Sequence, residues 1–397
     1  MLTPIKQLVP KPAQQWLRRF VRLWRTRLPK PRIRNHFRTH HPRNVLLSYI
    51  TSPFTRRETL VHTNELESRL IAATLRDLEY NVDIVNYDDE RPVDYTHYDL
   101  IFGFGAPVVN SFANRNRPIT VISYMTGMHN YVNNLATLQR VEDVYRKRHV
   151  WLLESGRFVA HDWTSISLIS DATIALGNEA VAETYQRYTN KPLYILPSLY
   201  YPLYDYREIV ASKDFGASVR HFLWFGGSGL VHKGLDLVLE TFADQPDLEL
   251  HVCGPVQVES AFEACYRQEL YALPNIHTYG FIALGSPTLR QLLQTCGWVI
   301  LPSCAEGGGS SVLNVAANGG LVPIVTRESS VYIGDFGVRI PDLSAAGTRK
   351  AVQAAQQITP DDLRRRSLLC GAYFVNHHSV SAYTERLQAA LEQILRN

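Results

Sequence analysis

From Asn44 onward the chain alternates short apolar runs with amphipathic helical stretches, and it does so in two successive series. This alternation constrains the fold more than any other feature. Parallel strands need long crossover connections, and helices supply them. Strands are predicted at 45–49, 82–85, 100–104, 120–124, 172–176 and 193–196, then at 221–225, 248–253, 276–279, 299–301 and 321–325. Helices are predicted at 64–79, 178–188, 235–242, 287–296 and 379–395. In the first of these, Leu66, Leu70, Ile71, Leu75 and Leu78 mark a buried stripe, and Asn64 with Glu67 resembles a capping box. A chain of 397 residues, 45% of them hydrophobic, can bury two cores. The expected fold class is α/β, with two parallel-sheet domains facing across a cleft. The expected bounds are an arm and linker over 1–43, a first domain over 44–210, a second over 211–375, and a last helix over 376–397 that returns to the first domain. Ligands of such sheets bind at the carboxyl ends of the strands, which here means the cleft.

The densest chemistry follows the strand at 299–301. Glu306 precedes Gly307, Gly308 and Gly309, and a helix opens near Ser310 and Ser311. Glycines let a backbone approach a ligand closely, and the free N–H groups of a helix start suit a phosphate. Glu306 would repel that phosphate and is better placed to accept from hydroxyls on whatever the phosphate carries. A phosphate cradle beside a hydroxyl acceptor suggests a nucleotide-sugar site. In the same half, Gly227, Ser228 and Gly229 follow the strand at 221–225, and Lys233 precedes the next helix, within reach of a diphosphate. A surface lysine is the alternative. Gly103-Phe104-Gly105 lacks the third glycine and the later acidic residue of a dinucleotide fingerprint. The five cysteines show no CxxC pair or metal-ligand spacing, so neither a metal nor a bound cofactor is expected, and reduced thiols are the simplest state.

Charge is unevenly spread. Residues 1–43 hold twelve Lys or Arg and no acid, leaving 29 basic against 37 acidic side chains in the remainder. Over 14–28, Trp16, Leu17, Phe20, Val21, Leu23, Trp24 and Leu28 recur at helical spacing among five arginines. That pattern describes a helix lying in an anionic headgroup layer, each basic residue adding on the order of 1 kcal/mol. Packing on its own domain, or nucleic-acid binding, is the alternative; nucleic acid is not the expected partner. Pro29, Pro31 and Pro42 are expected to form a linker. No run approaches the length of a membrane span and no secretory h-region is present, so the expected location is cytoplasmic, peripheral on the inner membrane face.

Several stretches together resemble the retaining glycosyltransferases called group 1, or family 4, which share the GT-B fold of two Rossmann-like domains. They are the Phe225-Gly-Gly-Ser-Gly turn through Lys233-Gly234, Val252-Cys-Gly-Pro255, Asn275 through Phe281, and the block from Leu301 to Thr326. The resemblance implies a transferase that moves a sugar from a nucleotide diphosphate to a saccharide or lipid-linked acceptor, in polysaccharide or glycolipid synthesis. It implies that Lys233 contacts the donor diphosphate, that Glu306 contacts sugar hydroxyls, and that Phe281 and Ile282 lie beside the base. His129, after the strand at 120–124, stands where the family often has a histidine touching the transferring sugar; a satisfied loop histidine is the alternative. Arg56, His62 and Glu65 cluster in and after the first long loop, where an acceptor would enter; a solvated loop explains them equally well.

Two positions depart from the family pattern. Ser228 replaces an arginine that neutralises the diphosphate, and Asn314 replaces a glutamate that holds the ribose. At roughly 1.5–3 kcal/mol per charged hydrogen bond, the two losses would weaken donor binding by about 3–6 kcal/mol. Asn314 keeps an amide for a hydroxyl, and a nearby arginine such as Arg327 is available to compensate. The departures keep a second class open, a non-catalytic nucleotide- or saccharide-binding module derived from such an enzyme.

Overall fold

The computed structural model describes residues 30–56, 59–60 and 62–396. The amphipathic stretch at 14–28 lies outside the described residues. Two six-stranded sheets form, and every strand pair within them is parallel. The first contains β1 (Arg43–Tyr49), β2 (Tyr80–Asn86), β3 (Leu100–Gly103), β4 (Thr120–Met125), β5 (Ala172–Leu176) and β6 (Leu193–Leu196), in the order β2-β1-β3-β4-β5-β6. The second contains β7 (His221–Phe225), β8 (Glu249–Cys253), β9 (Ile276–Gly280), β10 (Trp298–Leu301), β11 (Val322–Val325) and β12 (Val338–Arg339), in the order β12-β11-β10-β7-β8-β9. In both sheets the strand order reverses beside the first strand of the unit. The carboxyl ends of the central strands face one another there, as ligand-binding α/β sheets require.

The helices of the first half are α1 (Asn64–Asp77), α2 (Ala106–Asn114), α3 (Asn130–Arg148) and α4 (Glu179–Gln186), single-turn helices aside. Those of the second include α5 (Tyr206–Ala211), α6 (Leu235–Ala243), α7 (Pro287–Thr295), α8 (Ser310–Gly319), α9 (Ala345–Gln356), α10 (Pro360–His377) and α11 (Val380–Arg396). The strands bury on both faces, so their sequences read as continuous apolar runs and not as alternation.

One segment departs from its expected place within the first unit, and two others cross between the units. Residues 30–42, expected to be a linker, lie against β2 instead: Ile33 bridges Ile84, and Arg32 pairs with Asp89 at 2.7 Å. From the first half, α3 places Val141 and Val144 in the second core, and its Arg140 meets Asp236 of α6 at 2.5 Å, both fully buried. From the end of the chain, α11 places Tyr383, Leu387 and Leu391 in the first core. The expectation of a capping box is corrected as well: Thr63 is the N-cap of α1, no side chain caps it, and Glu67 turns inward. All five cysteines are free.

Candidate active site between the two sheets

A cleft of about 450 Å³ opens where the sheets face. Its first-domain wall comes from the end of β4 and the loop after it, its second-domain wall from the turns after β7, β8, β9 and β10. Lys233 and Glu306 are its charged centre. The Lys233 ammonium donates to Glu306 Oε1, which also accepts from Ser303 Oγ at 2.9 Å. Arg157, from the first half, brings Nη1 to 3.6 Å from Glu306 Oε2. Burial would push the Glu306 carboxyl up, but Lys233 and Arg157 hold it down at about 2. Burial lowers the Lys233 ammonium, with Glu306 opposing and Arg157 adding to the fall. Among the described lining residues, the Lys233 and Arg157 cations thus face one carboxylate, which leaves a net positive site for an anion.

Local sequence explains how Lys233 is held. Residues 229–233 form a turn in which the Lys233 N–H donates to the Gly229 carbonyl at 2.8 Å. Gly234 then starts α6 at φ +68°, where a Cβ would stand 2.3 Å from the Pro302 carbonyl, so only glycine fits. The buried carboxylate of Glu259 accepts from the Gly229 and Leu230 N–H groups at 2.6 and 3.0 Å. This corrects the donor-binding expectation for Gly229: its N–H is already used, and Gly229 does not line the cleft. Gly227 and Ser228 do line it, as do Phe281, 57% exposed, and Ile282.

The glycine run has a second role that the sequence does not disclose. A Cβ on Gly307 would stand 2.1 Å from the Thr126 carbonyl of the first domain, and Ser198 Oγ donates to the Gly307 carbonyl at 2.5 Å. Gly308 packs against Ser198 and Gly177 and does not line the cleft. These residues let the domains touch as well as letting a ligand approach. Ser310 and Ser311 start α8 in the cleft; their N–H groups have no intrahelical acceptor. Thr63 Oγ1 meets Ser310 Oγ at 3.4 Å across the cleft.

Asn314 lines the cleft, but its amide is committed. Its Oδ1 accepts from the Tyr201 N–H at 2.9 Å and its Nδ2 donates to the Ser310 carbonyl at 2.8 Å. One turn on, Asn318 binds Tyr201, Leu203 and Tyr204 in the same way. The two asparagines fasten α8 to the strand of chain that crosses between the domains. The Oδ1 bond ties α8 to the crossover, while the Nδ2 bond stays within α8.

The expected histidine is also corrected. His129 is 1% exposed and lies outside the cleft lining, its ring centroid 4.4 Å from that of Tyr188 and 4.8 Å from that of Tyr131. Nδ1 caps α3 by accepting from the Tyr131 N–H, and burial lowers its pKa. His129 is thus a buried N-cap of α3, and its Nε2 has no hydrogen-bond partner among the described residues. His62 lines the cleft in its place. Its Nδ1 accepts from the Asn64 N–H at 3.1 Å, which assigns the neutral ring's proton to Nε2. Burial first, then Arg157 and Lys233, lower its pKa and keep it neutral at pH 7. Arg56 and Glu65 pair with each other at 2.6 Å and line a neighbouring shallow pocket with His62, outside the main cleft. Thr59 also donates to Glu65, so that carboxylate is a loop fastener. Arg327, the expected compensating cation, pairs with Glu183 of α4 and does not reach the cleft.

His232 and Arg157 escaped the sequence reading. His232 Nε2 donates to the Ala305 carbonyl at 2.6 Å and its Nδ1 accepts from Thr137 at 2.8 Å, so α3 steadies the loop that carries Glu306. Only its place beside Lys233 hinted at this. Among the described residues, no group of three or more His, Cys, Asp or Glu has metal-site geometry, and no helix is long and apolar enough to cross a membrane.

Residues 218–332 match the sequence profile of the family described as glycosyl transferases group 1. No curated protein matches the chain. Among solved structures the chain is similar to a glycosyltransferase from Rickettsia africae, at 11% identity over 90% of this chain and 100% of that one, TM-score 0.59. It is similar to Anabaena Alr3699/HepE solved with UDP-glucose, at 12% identity over 89% and 100%, TM-score 0.57. It is also similar to alpha,alpha-trehalose 6-phosphate synthase from Burkholderia multivorans, at 8% identity over 89% and 99%, TM-score 0.57. Of TarM, at 14% identity and TM-score 0.50, the chain spans 54%. At such identities the likeness is one of fold. The chain has the two-domain GT-B fold, and the segment of it that holds Lys233 and Glu306 matches the glycosyl transferases group 1 family.

Proposed function

We propose that the protein is a glycosyltransferase that moves a sugar, with retention of configuration, from a nucleotide-diphosphate donor to a saccharide or lipid-linked acceptor in polysaccharide or glycolipid synthesis. The observation that carries this is the convergence, in one cleft, of the Lys233–Glu306 pair and the α8 N-terminus, inside the segment that matches the family profile. The diphosphate would sit between the Lys233 ammonium and the Ser310 and Ser311 N–H groups, which take the leaving-group charge. Lys233 supplies the charge that a metal supplies elsewhere, so transfer is expected to need no added metal. Phe281 offers a face for a base. Glu306, fully ionised, accepts from sugar hydroxyls and fixes the anomeric carbon. It is tied to Lys233 and Ser303, which suits an acceptor of hydrogen bonds better than an attacking nucleophile. Retention then follows from the acceptor approaching on the same face as the departing diphosphate. Neutral His62, on the first-domain side, is the group available to a hydroxyl entering there.

The first test is calorimetric titration with UDP, GDP, ADP, dTDP and CMP, one at a time. Micromolar binding to one diphosphate, lost in Lys233→Ala, followed by sugar transfer from the matching donor, is the expected result. Diphosphate binding without turnover on any acceptor would favour the second reading, a non-catalytic binding module. The uncharged Ser228 and the committed amide of Asn314 are the observations behind that alternative. Residues 14–28 are proposed to hold the enzyme at an anionic membrane surface on the cytoplasmic side, near its acceptor. Removing residues 1–29 should abolish flotation with phosphatidylglycerol vesicles; retained flotation would rule this out.

A further inference from the structure

Resting on the nucleotide-sugar reading above, we infer that Arg157 is a ligand of the donor diphosphate, supplied by the first half of the chain to replace the cation that Ser228 lacks. The loop that carries Arg157 is built onto the second domain. The Ser155 carbonyl accepts from the Val231 and His232 N–H groups at 3.1 and 3.2 Å. Glu154 Oε1 accepts from the Ala261 N–H at 2.7 Å. Asn133 Nδ2 donates to the Arg157 carbonyl at 2.9 Å. These four bonds bring the Arg157 backbone over the glycine-rich turn, where a Cβ on Gly229 would lie 3.3 Å from Arg157 Cβ. The root of the side chain is therefore fixed beside the position where the family pattern has its arginine.

The head of the side chain is free to act. The guanidinium is half-exposed, lines the cleft with Lys233 and Ser228, and makes no hydrogen bond among the described residues. Its one ion-pair partner is Glu306, at 3.6 Å, beyond hydrogen-bond length. Glu306 is already neutralised by Lys233, so Arg157 is the charge in excess. A planar fork with its donors unspent, anchored at its base and facing a cleft, is suited to a bidentate anion. The other arginine near this wall, Arg327, is engaged with Glu183. A diphosphate bound between Lys233 and Arg157 would be gripped by both halves of the chain, so donor binding would also hold the cleft in its present arrangement.

Titration of nucleoside diphosphates (UDP, GDP, ADP, dTDP) and of the matching monophosphates into wild type, Arg157→Ala, Lys233→Ala and the double variant Arg157→Ala/Ser228→Arg tests this. Loss of a hydrogen-bonded charge predicts about a 10- to 100-fold weaker diphosphate affinity in Arg157→Ala, a smaller loss for the monophosphate, and recovery in the double variant. Arg157→Gln, which keeps the length of the side chain without its charge, should behave like the alanine variant, and both should melt as wild type does. Undiminished diphosphate binding in Arg157→Ala, with Lys233→Ala inactive, overturns the inference and leaves the donor reading standing. Equal losses for mono- and diphosphate with no recovery in the double variant also overturn it, because they mark a structural role. No diphosphate bound by wild type would defeat the donor reading, and the inference with it.

Discussion

Lys233 and Glu306, proposed above as a functional pair, are also a structural one, which changes what their substitution should do. Both side chains are nearly inaccessible, with 6% and 9% of their surface exposed. Removing one partner of such a pair leaves an uncompensated charge inside and costs about 3–5 kcal/mol. Glu306→Gln should therefore abolish transfer and also lower Tm, whereas Lys233→Met/Glu306→Gln should regain most of the Tm and stay inactive. Activity assays beside thermal melts of the three variants check this; a single variant that melts as wild type does would show the pair to be energetically idle. The two residues are legible in the sequence because the turns that carry them are local and rich in glycine. Their surroundings are not. Arg157 lies 149 positions before Glu306, and the distant partners of Asn314 and Gly307 come from residues 126 to 201. Spacing along the chain says nothing about such contacts, and for the same reason His129 lies outside the cleft lining that its sequence position suggested.

Among the elements, α1, β1, β4 and α11 meet at one buried carboxyl. Glu67 of α1 accepts from Tyr49 of β1 at 3.0 Å and from Tyr124 of β4 at 3.4 Å, and Tyr124 meets Tyr383 of α11 at 2.9 Å. Burial raises Glu67 to about 7, against the opposing hydrogen bonds. The folded protein thus holds this proton more tightly than the unfolded chain does. Its contribution is complete below the ordinary carboxyl range near 4.5 and is lost as pH rises through 7, a decline of about 3 kcal/mol. Melts from pH 5 to 8.5 should show stability falling in wild type and a flatter profile in Glu67→Gln; parallel profiles would remove Glu67 as the cause. Strands and most helices at this scale are legible from apolar runs and helical stripes. The helix α3 is not, because its pattern is inverted: Thr137 and Arg140 are buried while Tyr131, Leu135 and Leu138 are exposed. The two-residue β12 is too short to register, and the prolines of 30–42 read as linker although that segment lines a sheet edge.

For the whole molecule, the distance between the domains is set where Gly307 meets Thr126. A methyl group there would sit 2.1 Å from a carbonyl oxygen, so Gly307→Ala must part the walls of the cleft. A displacement of about an ångström at a reacting centre costs on the order of 100-fold in rate. The expected outcome is a fall of that size in kcat with a larger radius of gyration by small-angle scattering; an unchanged rate would mean that the present spacing is not the reactive one. The sequence discloses two sheets and a cleft, but not how far each half reaches into the other. With α3 seated in the second core and α11 in the first, the boundary drawn by chain order is not a line along which the protein can be taken apart. A chimaera joined at the 201–204 crossover would import a second half shaped for a foreign α3 and would bring a foreign α11 to cover the native first sheet. The units that lineages can trade are the loops around the cleft, where ligand preference can drift while the halves remain bound to descend together.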